Sequence, residues 1–115
     1  MAVTPLKLSG STNGRGISLA TSVAGTTLHT VAAATGASNF DEIYVWVANF
    51  ATVGRVVQMH IGSTGGADVV LDTIPPRAGF VQVLHGVRLS GGLVVKGKAG
   101  FANVLYAFGV VNRNS

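Results

Sequence analysis

The feature that most constrains this chain is the regular alternation of short apolar runs with glycine-rich turns. Runs of Val, Ile, Leu, Thr and aromatic residues recur roughly every 8 to 12 residues, a spacing typical of a β-sandwich or a β-barrel. The runs fall at approximately 4–9, 15–22, 27–33, 41–50, 54–61, 67–74, 79–85, 87–96 and 101–112. The one helix candidate, the Ala-rich segment TVAAATGA, is too short to be stable alone. We therefore expect an all-β fold, with residues 1–115 forming one domain.

Residues 92–99, GLVVKGKA, nearly match the phosphate-binding loop pattern G-x-x-x-x-G-K-[ST]. Ala99 stands where that loop needs a hydroxyl to hold magnesium, so no side chain at this position can bind the metal. The residues between the glycines are mostly apolar, and Val94 and Val95 are β-branched, which favours a strand over a loop around phosphate. We interpret the segment as a strand with one apolar face and one face that becomes basic at Lys96 and Lys98.

Chemically reactive side chains are few and scattered. The chain has no cysteine, and no serine lies in a G-x-S-x-G turn. The neighbours Asp41 and Glu42 point to opposite faces of a strand, which separates them for joint acid–base work. The remaining carboxylates and the histidines, which come singly, are Asp68, Asp72, His29, His60 and His85. We expect no catalytic, cofactor-binding or metal-binding residues, and thus no enzyme.

The charge content is low for a free monomer. Hydrophobic residues make up 48% of the chain and charged residues 10%, well below the roughly 25–35% charged surface that keeps small domains apart. The net charge of +4 comes from Lys and Arg spread along the sequence without interleaved aromatic residues, so we expect no nucleic-acid binding. The apolar stretches are too short to span a bilayer, and the first residues do not resemble a secretory signal, so we expect no membrane association.

The segment FDEIYVWVANF is the strongest strand candidate. Alternation places Ile43, Val45 and Val47 on one face and Tyr44, Trp46 and Phe50 on the other. Two interpretations stay open, because aromatic residues usually serve the core: an ordinary core strand, or a strand whose aromatic face contacts another subunit. The second makes Tyr44, Trp46 and Phe50 candidate oligomer-interface residues.

The N-terminal residues 1–8 are a second candidate for subunit contact, as an extended arm. Pro5 restricts itself and the preceding residue to extended conformations, which suit a segment lying across a neighbour. The candidate interface residues here are Val3, Pro5 and Leu6.

Four phrases in their order along the chain are similar to a group of small bacteriophage virion structural proteins. They are PLKLSGSTNGRGI, DEIYVWVANF followed by GRVVQMHIGS, IPPRAGFVQVLHGVRLSGGLVVKGKA, and NVLYAFGVVNR, and together they cover nearly the whole chain. The resemblance implies an antiparallel, jelly-roll-like β-sandwich that assembles as a homo-oligomer, with a trimer favoured. It also implies a capsid decoration (cement) protein on the outer head surface, made in the host cytoplasm and carried in the virion. Its partners would be itself and the major capsid protein or another virion protein.

Other functions stay open at this point. The resemblance also allows a structural or adaptor protein of the phage tail or neck. A carbohydrate-binding β-sandwich module is a further alternative, which would need exposed Trp or Tyr side chains as platforms for sugar rings. A single-strand nucleic-acid binder would show affinity that falls steeply with salt.

Overall fold

The structure is a computed structural model that describes residues 2–115. Over this range the chain forms nine strands and one three-residue 3₁₀ turn, with no α-helix, which confirms the all-β prediction. The strands are β1 (Val3–Lys7), β2 (Ile17–Ser18), β3 (Thr26–Thr30), β4 (Phe40–Asn49), β5 (Arg55–Ile61), β6 (Val69–Ile74), β7 (Val81–Leu89), β8 (Val94–Ala99) and β9 (Leu105–Asn114).

The strands form two antiparallel sheets. Sheet I has the order β1-β9-β4-β7, and the short β2 also pairs with β9. Sheet II has the order β3-β8-β5-β6. The buried residues of both sheets form one hydrophobic core, so the chain is a single two-sheet domain.

The alternation that predicted β4 also sets its orientation. Ile43, Val45 and Val47 are fully buried, whereas the residues between them are only partly buried. This pattern is expected for a strand with one face on the core and one face away from it. The side chains buried in the core are aliphatic throughout: Leu8, Ile17, Leu19, Leu28, Val31, Ile43, Val45, Val47, Val57, Met59, Ile74, Val83, Leu84, Val95, Ala99, Leu105, Ala107 and Val111.

The predicted break at Gly86 between two strands is wrong. Gly86 has a φ of +88° and lies inside β7, where the register with β4 shifts between His85 and Val87. It therefore forms a β-bulge, in which glycine supplies the positive φ and the strand continues. The actual break comes at residues 90–93, within the predicted run 87–96.

The segment GLVVKGKA forms a turn followed by β8 and has no helix behind it. Val95, Gly97 and Ala99 face the core, and Val94, Lys96 and Lys98 lie on the other side, which confirms the strand interpretation. Gly97 is needed for packing, since a Cβ there would lie 2.9 Å from Leu19 Cδ2.

The N-terminal residues are part of the chain's own sheet. Residues Val3–Lys7 form β1, an edge strand that pairs with β9 over five residue pairs, so within one chain they do not form a free arm. Met1 of the predicted segment 1–8 lies outside the described residues. Leu8 is buried in the core and fixes the end of this segment.

Candidate interaction surface

The outer side of sheet I carries a group of aromatic side chains, which we call the aromatic face: Tyr44, Trp46, Phe80, Tyr106 and Phe108. Trp46 of β4 and Phe108 of β9 are cross-strand partners, and Tyr106 pairs with Ala48 in the same ladder. Phe80 precedes β7 and packs edge to face on Phe108, with ring centroids 4.9 Å apart. The rings of Tyr44 and Trp46 are nearly parallel, 21° apart, with centroids separated by 6.4 Å.

Two glycines let these rings lie close to the sheet. A Cβ on Gly16 would come within 2.6 Å of the Phe108 ring, and a Cβ on Gly86 would lie 3.1 Å from the Tyr44 hydroxyl oxygen. The bulge at Gly86 therefore makes room for Tyr44. Because these contacts fix the rings against the backbone, the aromatic face is held in place before any partner binds.

The distribution of aromatic residues is unusual. Seven of the eight aromatic residues lie on or beside the outer side of sheet I, and the eighth, Phe101, lies elsewhere beside Arg55. None of them is in the aliphatic core. Aromatic residues normally dominate cores and the centres of protein interfaces. The core here does not use them, and they are instead concentrated on one outer face.

One end of the aromatic face is polar. Glu42 accepts hydrogen bonds from the Tyr44 hydroxyl (2.7 Å) and from Arg88 Nε (2.9 Å), and the Arg88 guanidinium lies 4.9 Å from the centroid of the Phe40 ring. The hydrogen bond from Tyr44 and, to a lesser extent, the one from Arg88 hold the pKa of Glu42 below its usual value. The same bond to Glu42 raises the pKa of Tyr44. This network orients the Tyr44 ring and gives the aromatic face a charged border.

The structure brings some of the predicted interface residues together. Tyr44 and Trp46 are adjacent on the aromatic face. Phe50 follows β4, is 68% exposed, and lines a groove of about 340 Å³ with Tyr106 and Phe108.

The β1 residues of the predicted set divide between the two sides of sheet I. Val3 and Pro5 pair with residues of β9 on its outer side, and Val3 lines the shallow groove at the polar end of the aromatic face. Leu6 pairs with Val111 and packs against the core, which makes it the least suited of the set to contact another chain.

Sequence reasoning missed Phe80, Tyr106 and Phe108. The signal for Phe108 is present in the alternation of Tyr106, Phe108 and Val110 along β9, but the sequence does not tell which side of that strand faces the core. Phe80 falls within the predicted run 79–85, but β7 begins only at Val81, so Phe80 lies outside the regular strand.

A buried ionic network joins the two sheets. Asp41 of β4 accepts two hydrogen bonds from Arg113 of β9, at 2.8 and 2.9 Å, and one from His29 Nε2 of β3 at 2.8 Å. His29 Nδ1 accepts the Ser9 backbone N–H, so this ring has partners on both nitrogens. Burial raises the pKa of Asp41, but the hydrogen bonds from Arg113 and His29, the charge of Arg113 and the Ala32 N–H outweigh it and hold the pKa at about 2. We assign this network to inter-sheet stability.

The described residues hold no cluster of three or more possible metal ligands, since within residues 2–115 no three His, Asp or Glu side chains come close enough to hold a metal ion. The neighbours Asp41 and Glu42 lie on opposite sides of β4, as alternation predicted. None of the helical segments in this range is long and apolar enough to cross a membrane.

Comparison of the chain with protein-family models, with curated proteins and with solved structures found no match.

Proposed function

We propose that this chain is a bacteriophage virion structural protein, a capsid decoration protein that binds the outer head surface as a homo-oligomer. The observation that carries the proposal is the aromatic face, because it gives a small domain a preformed apolar surface on the outside of an already complete core. The low charge content agrees with a surface that is largely covered in the assembled state. The protein then acts in the virion by contacts and not by catalysis.

We also propose that the sandwich is a jelly roll. If β2 is set aside, the ladders are nested: β5 pairs with β6, β4 with β7, β3 with β8, and β1 with β9. The nested pairs alternate between sheets II and I, as in one long hairpin rolled into two sheets. Jelly rolls occur in capsid proteins and lectins, which supports a virion role at the level of fold analogy.

The size of the outer side of sheet I suits a specific contact. Four strands about 4.8 Å apart and up to about ten residues long cover about 600 Å². A contact between two such surfaces would bury about 1,200 Å², the lower end of the range for specific protein interfaces. A closed trimer needs a heterologous contact, in which the aromatic face of one copy meets a different surface of the next. The trimer itself rests on the resemblance to small virion proteins.

Light scattering behind a sizing column at micromolar concentration tests the self-assembly. The expected mass is about 35 kDa, three times the 11.7 kDa of the chain. Phe80→Ser, on the aromatic face, should shift the mass toward 11.7 kDa, because it removes an exposed ring from the contact. Phe101→Ser is the matched control: its ring is also more than half exposed but lies away from the aromatic face. A wild-type monomer, or equal effects of both variants, would contradict a contact through the aromatic face.

Mass spectrometry of purified particles tests the virion location. The chain should co-purify with intact particles in a fixed copy number, and gold labelling in electron microscopy should place it on the head. Labelling at the tail or neck would instead favour the structural or adaptor role at that site. Absence from the particles would refute the virion proposal.

A carbohydrate-binding module is the second candidate, because Tyr44 and Trp46 present nearly parallel rings on an outer face. Sugar rings stack on such surfaces through their apolar C–H faces. Trp46 is the one tryptophan of the chain, so its fluorescence should change saturably with an oligosaccharide if this function is correct. An unchanged fluorescence spectrum across a panel of glycans would argue against carbohydrate binding and favour the structural role.

A further inference from the structure

A cavity of about 440 Å³ opens on the outer side of sheet II, at the end of β5, on the sheet opposite the aromatic face. Its base is formed by His60 of β5 and Lys96 of β8, which are cross-strand partners. The walls come from three connecting segments: the loop before β3 at Ala24, the β5–β6 loop, and the turn into β8. This volume lies within the range of small-molecule sites.

The imidazole of His60 is the first indication that the cavity takes a ligand. His60 is only 3% exposed, and its Nδ1 has no hydrogen-bond partner. The proton of an imidazole can lie on either ring nitrogen, and a ring protonated at Nδ1 has a hydrogen-bond donor there that an acceptor can satisfy. Buried polar atoms without a partner are rare in native proteins and usually mark a bound water, ion or ligand.

Lys96 is the second indication. Among the described residues its ammonium group has neither an ion-pair partner nor a side-chain hydrogen bond, although Lys96 lines the cavity beside His60. Ser63 is already engaged, because its hydroxyl donates to Asp68 (2.6 Å) and accepts the Gly65 N–H (3.2 Å). The polar groups left for a ligand are therefore the Lys96 ammonium, the His60 imidazole and the Thr64 hydroxyl.

The walls of the cavity are fixed by close backbone packing. Gly62 has a φ of +95°, and a Cβ there would lie 3.1 Å from a methyl group of Leu93. Gly25 has a φ of +75°, and a Cβ there would lie 2.9 Å from the Gly97 carbonyl oxygen and 3.5 Å from the Cβ of Lys96. The cavity is thus formed before any ligand enters, which lowers the entropic cost of binding.

We propose that this cavity binds a small oxyanion, a carboxylate or phosphate group on a free small molecule. Lys96 supplies the positive charge, and the imidazole of His60 and the hydroxyl of Thr64 supply hydrogen bonds. The bound anion would connect β5, β8 and the β5–β6 loop, and so would stabilise this end of sheet II. The proposal does not depend on the virion role or on the oligomeric state.

Proton NMR of the histidine rings tests the site. Inorganic phosphate and sodium succinate are titrated separately at fixed pH and fixed ionic strength, and the Cε1–H shift of each histidine is followed. The His60 signal should move saturably with at least one probe, and that probe identifies the preferred oxyanion. His85 is the internal reference, because it is exposed on the opposite sheet.

The matched variants are Lys96→Met and Lys98→Met. Both remove one charge from the same side of β8, but Lys98 does not line the cavity. Lys96→Met should weaken binding at least about tenfold, the effect of losing one charge-assisted hydrogen bond, whereas Lys98→Met should leave it within about twofold.

Thermal melting provides an independent measurement. The saturating probe should raise the melting temperature of wild type and Lys98→Met but not of Lys96→Met. A His60 chemical shift that grows linearly with both probes, or that equals the change at His85, would refute the proposal. Equal losses in the two lysine variants would also refute it, since they would indicate general attraction of anions to a basic surface.

Discussion

Replacement of Asp41 by Asn tests how much the buried network of Asp41, Arg113 and His29 stabilises the fold. The carboxylate is completely buried between the sheets and accepts hydrogen bonds from Arg113, His29 and the Ala32 N–H. Asn has nearly the same shape as Asp but no charge. Its NH₂ group is a donor and would lie against an N–H donor of Arg113 or His29, where the carboxylate of Asp41 has an accepting oxygen. The substitution therefore leaves a guanidinium without its counter-charge and at least one donor unpaired.

The expected loss follows from the burial of the two partners. Removing one member of a buried ion pair destabilises a protein by about 3–5 kcal/mol. Arg113 is 35% exposed on its side chain, so solvent can compensate part of its charge, and the lower end of about 3 kcal/mol is expected. For a domain of this size this corresponds to a melting temperature lower by about 10–15 °C.

The pH dependence gives a second signature. The pKa of Asp41 is lowered from 3.8 to about 2, so the contribution of the charged form is complete above the unfolded value and is lost as the pH falls from about 4 to 2. The shift corresponds to at most about 2 kcal/mol, less after screening at the partly exposed guanidinium. The stability difference between wild type and Asp41→Asn should therefore narrow as the pH falls through this range.

Urea denaturation at pH 7 and at several values down to pH 2.5 measures both effects. Glu42→Gln is the matched control, because the neighbouring residue loses the same charge from the outer side of the same strand. It should change stability little, since Glu42 pairs with an exposed Arg88. If Asp41→Asn is as stable as wild type, or Glu42→Gln loses as much, the network does not hold the sheets together as argued.

Two further predictions concern backbone packing and nucleotide binding. Gly109→Ala should destabilise the fold by about 1–3 kcal/mol, because the new Cβ would overlap the Tyr44 carbonyl oxygen and lie 2.9 Å from Leu8 Cδ1. Gly79→Ala, where a Cβ would have no neighbour within 4 Å, should be close to neutral in the same urea assay, and equal effects would contradict the packing argument. Calorimetry with Mg-ATP should show no binding to wild type or to Lys98→Ala, because residues 92–99 form a turn and a strand; micromolar binding lost in the variant would overturn that interpretation.

The sequence predicts the strands well where alternation and turn chemistry agree. In β4 and β8 the residues alternate strictly, and both strands have the faces that alternation assigns. A glycine inside a strand is easily mistaken for a turn in the sequence, because the bulge at Gly86 and the turn at Gly91 both have glycine at a positive φ. The difference between them lies in the partner strand β4, which continues past the bulge, and no local pattern reports that.

The ionic network could not be predicted from spacing. Asp41 is separated from Arg113 by 72 positions and from His29 by 12, and no local spacing links the three residues. Alternation did predict that the side chains of Asp41 and Glu42 lie on opposite sides of β4. It did not predict which of the two is buried, since that depends on which side of sheet I meets sheet II.

The same ambiguity decides the position of the aromatic residues. In β4 both sides are apolar, so the sequence permits either Val45 or Trp46 to face the core. The sandwich packs aliphatic side chains between its sheets, and Gly97 leaves room for Leu19 and Leu28 to approach the β8 backbone. The glycines at 16 and 86 make space for rings on the outside, where a Cβ would meet Phe108 and Tyr44. The placement of these glycines beside Phe108 and Tyr44 therefore indicates that the outer aromatic side chains are built into the fold.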